Sequence, residues 1–278
     1  MNGESLSQPR LGAFAGEPVR TEFDRTPSLG GWRPPARSVT GAPDYGVDAP
    51  YTILGAFAAA AVSASFASAL GSVRPQRRPI LLLAGINWLV ALGAAALGTS
   101  LVAYGKRGKL NHRDRVLGLI AWTGSERVLD IGTGRGLLMI GAAKRLVAGK
   151  AFGIDLWRDA DLTNNNREST MRNAFLEGVV DKVDVRFEDA RKLEFQRDSF
   201  DVVFCSLTLH SLDKDGRDSA CREIARVLRP GGTAIVSDYA SVAGYAAALR
   251  SAGLRVRAVA SGWNTFTYLR TIVAEKPR

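Results

Sequence analysis

The stretch Val128–Gly136, "VLDIGTGRG", places residues that could do chemistry at a fixed spacing. An apolar run stops at Asp130, and Gly132, Thr133, Gly134 and Gly136 follow. Glycines let a chain leave a strand sharply and bring its backbone close to a ligand. The spacing is G-x-G-x-G. The dinucleotide fingerprint has one more residue between its last two glycines, so this spacing points away from hydride transfer. A tight strand-to-helix turn with no ligand would read the same way.

Further chemical groups follow in order. A second apolar run ends at Asp155, before Leu156 and Trp157. A carboxylate at that place can accept both hydroxyls of a ribose; it could equally cap the next segment. Trp157 could cover a purine or lie on the surface. A third run ends in Glu188, Asp189 and Ala190, where a carboxylate could accept an adenine N–H. Beyond a fourth run, "FDVVFCS", lies His210. It could act as a base or hold a substrate, or simply pack at a helix start.

These groups need elements to hold them. Segments 127–131, 151–155, 183–187, 200–206, 233–238, 255–260 and 269–276 read as strands, with helical patterns between the earlier ones. That alternation implies an α/β fold, a seven-stranded mainly parallel sheet with helices on both faces, over residues 106–278. The spacing predicts a helix from Leu137 that Gly149 ends, with Gly141 allowing close packing on the sheet. Ala220, Ile224, Val227 and Leu228 make one helical stripe, and Pro230-Gly231-Gly232 stops that helix and starts the fifth strand.

Taken together, "VLDIGTGRG", "GID", "EDA", "FDVVFCSLTLH" and "ARVLRPGGTAIVSD" resemble the class I S-adenosylmethionine-dependent methyltransferase family over roughly residues 106–278. The resemblance implies a Rossmann-like methyltransferase fold with a reversed last strand, and S-adenosylmethionine as cofactor. It implies that Asp130, Gly132, Thr133, Gly134 and Gly136 hold the methionine part, and Asp155 with Leu156 the ribose. Asp189 and the Ala190 backbone would take the adenine, and Ser206 would lie near the cofactor amino group. His210 and Tyr239 are then the residues to act on the acceptor, with Asp238 beside them. No Asn/Asp-Pro-Pro-Tyr motif follows the fourth strand, which weakens an adenine or glutamine-amide acceptor.

Upstream lie two uncharged runs. None of the residues between Asp48 and Arg74, or between Arg78 and Lys106, is charged. Each run exceeds the about 20 residues that span a bilayer core. The short linker between them implies a two-helix transmembrane hairpin over 51–105. Gly55, Ala59, Ser63, Ala67 and Gly71 recur every four residues, predicting a strip of small side chains against the second helix. Lys and Arg outside the spans outnumber Arg74, Arg77 and Arg78 in the linker. Both ends, and the methyltransferase domain, are expected in the cytoplasm, with the domain held at the lipid bilayer. The Lys106–Arg115 cluster is either a solvated linker or a contact with anionic headgroups. Residues 1–50 are rich in Gly, Pro, Ser and Arg and read as a disordered tail.

Composition narrows the partners. The net charge is +10, but the basic residues are spread out and no aromatic-rich basic motif stands out, so no nucleic acid is expected. With two cysteines not in a CxxC pair and two histidines, no metal site is expected. The acceptor is expected to be a small, lipophilic molecule met at the bilayer. Two other readings remain open at this point: a non-catalytic S-adenosylmethionine-binding membrane scaffold, and a soluble small-molecule methyltransferase whose upstream helices form a lid.

Overall fold

Seven strands run in the order β3-β2-β1-β4-β5-β7-β6 in the computed structural model, which describes residues 41–48, 50–75, 77–158, 162–259 and 269–278. Strands β1 (Arg127–Ile131), β2 (Lys150–Asp155), β3 (Val183–Phe187), β4 (Phe200–Ser206) and β5 (Leu228–Asp238) pair in parallel. The last, β7 (Arg270–Glu275), is antiparallel to both β5 and β6 (Arg255–Val259). The chain starts at the centre, moves out to β3, then returns to lay β4 on the other side of β1. The direction of winding therefore switches between β1 and β4, and a crevice opens beyond their carboxyl ends.

Alternation along each strand feeds two cores. Leu129, Ile131, Val203, Cys205, Ala234 and Val236 pack against α6 (Lys214–Val227) and α7 (Val242–Ser251). Val128, Val202, Phe204, Ile235 and Val273 point the other way. They meet α3 (Lys109–Leu117), α4 (Leu137–Ala143) and α5 (Arg167–Leu176). Both faces are covered, as a parallel sheet requires. The helical stripe Ala220, Ile224 and Val227 is fully buried.

Three local expectations are corrected. Helix α4 stops at Ala143 instead of running to Gly149, because the Gly124 carbonyl accepts the amides of Val147, Ala148 and Gly149 and folds the chain back into β2. Gly149 is needed for close approach: a Cβ there would lie 2.2 Å from the Glu126 carbonyl oxygen. Gly141 packs on helix α3, not the sheet, since its Cβ would meet Leu117 and Arg113. Strand β5 begins at Leu228, so Pro230-Gly231-Gly232 sit inside its irregular first half, where the register shifts against Phe200 and Val202.

Two antiparallel helices precede the sheet, α1 (Pro50–Ser72) and α2 (Arg78–Ala103). They meet through Ala56 and Ala67 on one side and Ala84, Ala91 and Gly98 on the other. The Phe57 ring crosses Gly98, where a Cβ would lie 2.9 Å away. The predicted four-residue strip is only partly right. Ala67 is buried in the contact, but nothing lies within 4 Å of a Cβ at Gly55 or Gly71. A four-residue step drifts about 40° round a helix of 3.6 residues per turn, so five such positions cannot share one face. Ala84, Ala91 and Gly98 step by seven, which drifts only about 20° each time.

From α2 the helix continues through a π turn, Tyr104–Gly108, straight into α3, whose Val116 and Leu117 sit in the core against α4. The chain ahead of α1 is also pinned to the domain. Asp44 and Asn173 exchange two hydrogen bonds of 3.0 and 2.8 Å. The buried Lys109 ammonium donates to the Tyr45 and Gly46 carbonyls and pairs with Asp48 at 2.8 Å. Of the segment expected to be a tail, residues 1–40 lie outside the described residues.

Candidate active site

A cavity of about 450 Å³ opens beyond the carboxyl ends of β1–β5, a size that holds a nucleotide-sized ligand. It is lined by Asp130, Gly132, Thr133 and Gly134 from the first turn, Asp155 and Leu156 from the second, and Asp189 and Ala190 from the third. Ser206, His210 and Tyr239 complete that wall. Gly136 is the one predicted site residue that does not line it. Its φ of 86° caps α4, and a Cβ would strike Ile140 and Thr170, so its task is to start the helix.

The first turn is held from within. Gly132 and Thr133 donate their amides to the Ile154 carbonyl at 2.8 and 3.0 Å. Asp130 accepts from the Thr133 hydroxyl at 2.9 Å and from the Met139 amide at 3.0 Å. Burial pushes its carboxyl up to about 7, against the pull of those two donors. Asp130 thus ties the strand end to the start of α4. Gly132 is compulsory, because the Thr208 side chain lies across it, with its hydroxyl 2.0 Å from where a Cβ would be. Thr208 in turn donates towards the Ile131 and Ser206 carbonyls, bridging the tips of β1 and β4. Between them Leu207 is held at φ 54°, a strained setting for a bulky side chain at the rim of the crevice.

Asp155 is aimed by two backbone donors, Gly134 at 2.7 Å and Trp157 at 2.6 Å, one on each oxygen. Trp157 does not cover the cavity. Its indole donates to the Gly134 carbonyl at 3.2 Å and its ring lies beside Phe187, so it clamps the glycine turn. Asp189 faces a fork from Arg191, whose guanidinium holds the carboxyl below its usual range. Its neighbour Glu188 is buried on the cavity wall; its Oε1 accepts no hydrogen bond among the described residues but lies 3.9 Å from the Arg186 guanidinium, and burial raises its carboxyl. Carboxylates on Asp155 and Glu188, both on the cavity wall, have the chemistry that the ribose hydroxyls and the amino group of an adenosine would pair with.

At the far end His210 leans on the buried Asp238. The Asp238 carboxylate accepts the His210 amide at 3.2 Å, and Nδ1 lies 3.3 Å from Oδ2. That contact fixes the ring and leaves Nε2 as the nitrogen on its other edge. The Tyr239 ring packs tilted against the imidazole, with centroids 4.6 Å apart.

Another wall comes from a region that no motif announced: Tyr45, Asp48, Tyr104, Lys109 and His112, from the strap before α1 and the base of the hairpin. Arg135 joins them, paired with Asp44 at 3.1 Å and donating to the Thr163 carbonyl. Among the described residues no three His, Cys, Asp or Glu side chains gather as a metal site.

Residues 128–232 match the family model described as a methyltransferase domain. Over 152 residues the chain is 32% identical to a 27-O-demethylrifamycin SV methyltransferase of Amycolatopsis mediterranei, covering 54% of this chain and 51% of that protein. Over 119 residues it is 34% identical to a ubiquinone/menaquinone biosynthesis C-methyltransferase of Chromobacterium violaceum, covering 42% of this chain and 44% of the other. The chain spans about half the length of the curated relatives it matches. The fold is similar to a candidate O-methyltransferase from Nostoc punctiforme, with a TM-score of 0.52 and 18% identity over 82% of this chain and 72% of that one. Residues 128–232 are therefore similar to a methyltransferase domain, and the relatives they match are methyltransferases by name.

Proposed function

We propose that the chain transfers a methyl group from S-adenosylmethionine to a small lipophilic acceptor, working at a membrane with its α/β domain in the cytoplasm. One observation carries the membrane part: the hairpin is packed inside out. Alanines and Gly98 meet at its centre, while Leu54, Val62, Leu82, Leu89 and Leu92 point outward, each more than 60% exposed. In water such a face costs roughly 25 cal/mol per Å² of apolar area. In lipid it costs nothing, and close packing of small residues is what joins the two helices. The base of the same hairpin lines the cavity, so an acceptor dissolved in the bilayer has a short route to it.

When bound, S-adenosylmethionine supplies a methyl on a sulfonium, a good leaving group. The protein's part is then mostly placement. Asp155 accepts the ribose hydroxyls, and Glu188 with Asp189 offers acceptors for the adenine edge. The turn Gly132–Gly134 and Asp130 shape the methionine end, beside Ser206 at the tip of β4. His210, held by Asp238 and backed by Tyr239, would take the proton that an acceptor hydroxyl gives up.

The test is transfer of labelled methyl by the full chain into membrane and soluble fractions of the native host. Label is expected in the solvent-extractable lipid fraction. Label only in water-soluble material would overturn the lipophilic reading, and recovery of the chain in the carbonate supernatant would overturn the anchor.

A further inference from the structure

The chain has two histidines, and both line the cavity described above. They differ in what they lean on. His210 has Asp238. His112, on α3, is 2% exposed, and its Nε2 is buried with no hydrogen-bond partner among the described residues. A buried polar atom left unpaired is rare and costly, so its presence on a cavity wall points to a ligand that completes it.

The local helix geometry explains how His112 comes to face the cavity. Helix α2 presents Ala84, Ala91 and Gly98 to α1. The π turn Tyr104–Gly108 then inserts an extra residue, which advances everything after it by about 100°. Tyr104 closes over Gly108, whose Cβ would lie 2.8 Å from its ring. Beyond the turn, Lys109, His112 and Val116 form the buried face of α3. Lys109 is already satisfied by Asp48 and two carbonyls, which leaves His112 as the unengaged polar group of that face.

We infer that His112, with Tyr104 lining the same cavity, forms the subsite that reads the neutral polar head, a hydroxyl or carbonyl, of the lipophilic acceptor. The inference rests on the function proposed above and adds the group that selects within that class. The position fits an acceptor better than the cofactor, whose acceptors line the ends of β2 and β3. The charge fits too. Burial, helped by the nearby Arg115, drives the imidazole down to about 4, so it is neutral at working pH and offers one donor and one acceptor. A neutral ring brings no charge to favour a carboxylate or phosphate, and its one donor and one acceptor suit a hydroxyl.

The test is binding of two probes, 2-naphthol and 2-methoxynaphthalene, to the full chain in detergent with saturating S-adenosylhomocysteine. They have the same ring, and only the first can donate a hydrogen bond. The native protein is expected to prefer the naphthol about tenfold over the methyl ether, the ratio one added hydrogen bond gives. His112→Leu is expected to bring that ratio near one, with S-adenosylhomocysteine affinity unchanged within about twofold. His112→Gln, which keeps a neutral donor and acceptor, should retain part of the preference. A ratio that survives in His112→Leu, or is absent from the native protein, overturns the inference. So does an equal loss of S-adenosylhomocysteine affinity, which would move His112 to the cofactor. If neither naphthalene binds above the detergent blank, the lipophilic reading itself fails. Should His112→Leu not bind S-adenosylhomocysteine at all, His112→Gln and Tyr104→Phe decide by the same ratio.

Discussion

In the α/β domain, Leu129, Ile131 and Phe204 are sealed from solvent, and buried polar groups such as Ser237 and Thr271 are hydrogen-bonded to each other. In the hairpin the placement is reversed: Ala84, Ala91 and Gly98 are inside, and Leu82, Leu89, Leu92 and Trp88 are outside. Both regions carry the same large apolar residue types, so it is their placement that differs. The proposed membrane anchor accounts for the reversal by the medium each would face. A water-facing body hides its largest apolar groups. A lipid-facing pair gains nothing by hiding them and gains contact by bringing its smallest together. The two bodies are joined by one continuous helix and a strap, and the joint is also a wall of the active-site cavity.

The sharpest way to break this comparison is a charge on the outward face. Leu89 lies near the middle of α2 and is 71% exposed. Leu89→Arg is expected to cost about 3 kcal/mol of insertion free energy, the figure for arginine at a bilayer centre. The carbonate-resistant fraction of the full chain should fall several-fold. On a water-facing helix the same change stays within about 0.5 kcal/mol. An undiminished carbonate-resistant fraction would therefore remove the lipid face from the account. In the domain the polarity of the experiment inverts: Leu129→Ala, a simple loss of volume, is expected to cost about 2–5 kcal/mol in thermal unfolding.

Inside the hairpin, size should matter more than polarity. Gly98→Leu drives a side chain into the Phe57 ring and is expected to cost about 1–3 kcal/mol, seen as a lower melting temperature of the purified chain in detergent. Leu92→Ala on the outside should be nearly silent. Combining Gly98→Leu with Phe57→Ala should recover part of the loss; no recovery would mean the ring contact is not what sets the approach.

At the joint between sheet and crevice, Asp155→Ala should lower S-adenosylmethionine affinity at least tenfold, about 1.4 kcal/mol by calorimetry, and leave carbonate resistance untouched. Equal affinity would mean the Gly134 and Trp157 amides, not a ribose, are what the carboxylate serves.

Much of this was legible in the residues, for reasons that can be named. The strands β1 to β4 end where an apolar run meets a polar residue, and the same ends carry Asp130, Asp155, Glu188 and Ser206, so fold and site share one signal. What depended on distant contacts was not legible. Helix α4 ends early because of a carbonyl at Gly124, thirteen residues ahead of its own start. Thr208 crosses Gly132 only once β4 lies beside β1. The wall of Tyr45, Tyr104 and His112 has no motif, since it is assembled from a strap and a helix that flank the hairpin. The small-residue strip had the right composition and the wrong period. A step of four looks regular in a sequence but winds off the face, while the seven-residue step that makes the contact lies among other alanines.

The gentlest test falls on the strap. Tyr45 donates to Glu177 at 3.0 Å, and Lys144 binds the other oxygen of that carboxylate. Burial alone would push the Glu177 carboxyl up, but the bonds from Lys144 and Tyr45 outweigh it and hold it below the ordinary 4.5. A carboxyl lowered on folding contributes stability above its unfolded value, and that contribution is lost as pH falls through the lower folded value. The native melting temperature should therefore drop more steeply than that of Glu177→Gln as pH is taken below about 4.5. At pH 7 the variant should melt only about 1–3 °C lower, since a half-exposed ion pair is worth under about 1 kcal/mol. Parallel pH curves would mean that Glu177 does not hold the strap. The remaining bonds from Asp44 and Lys109 would then carry the attachment that sets the hairpin against the cavity.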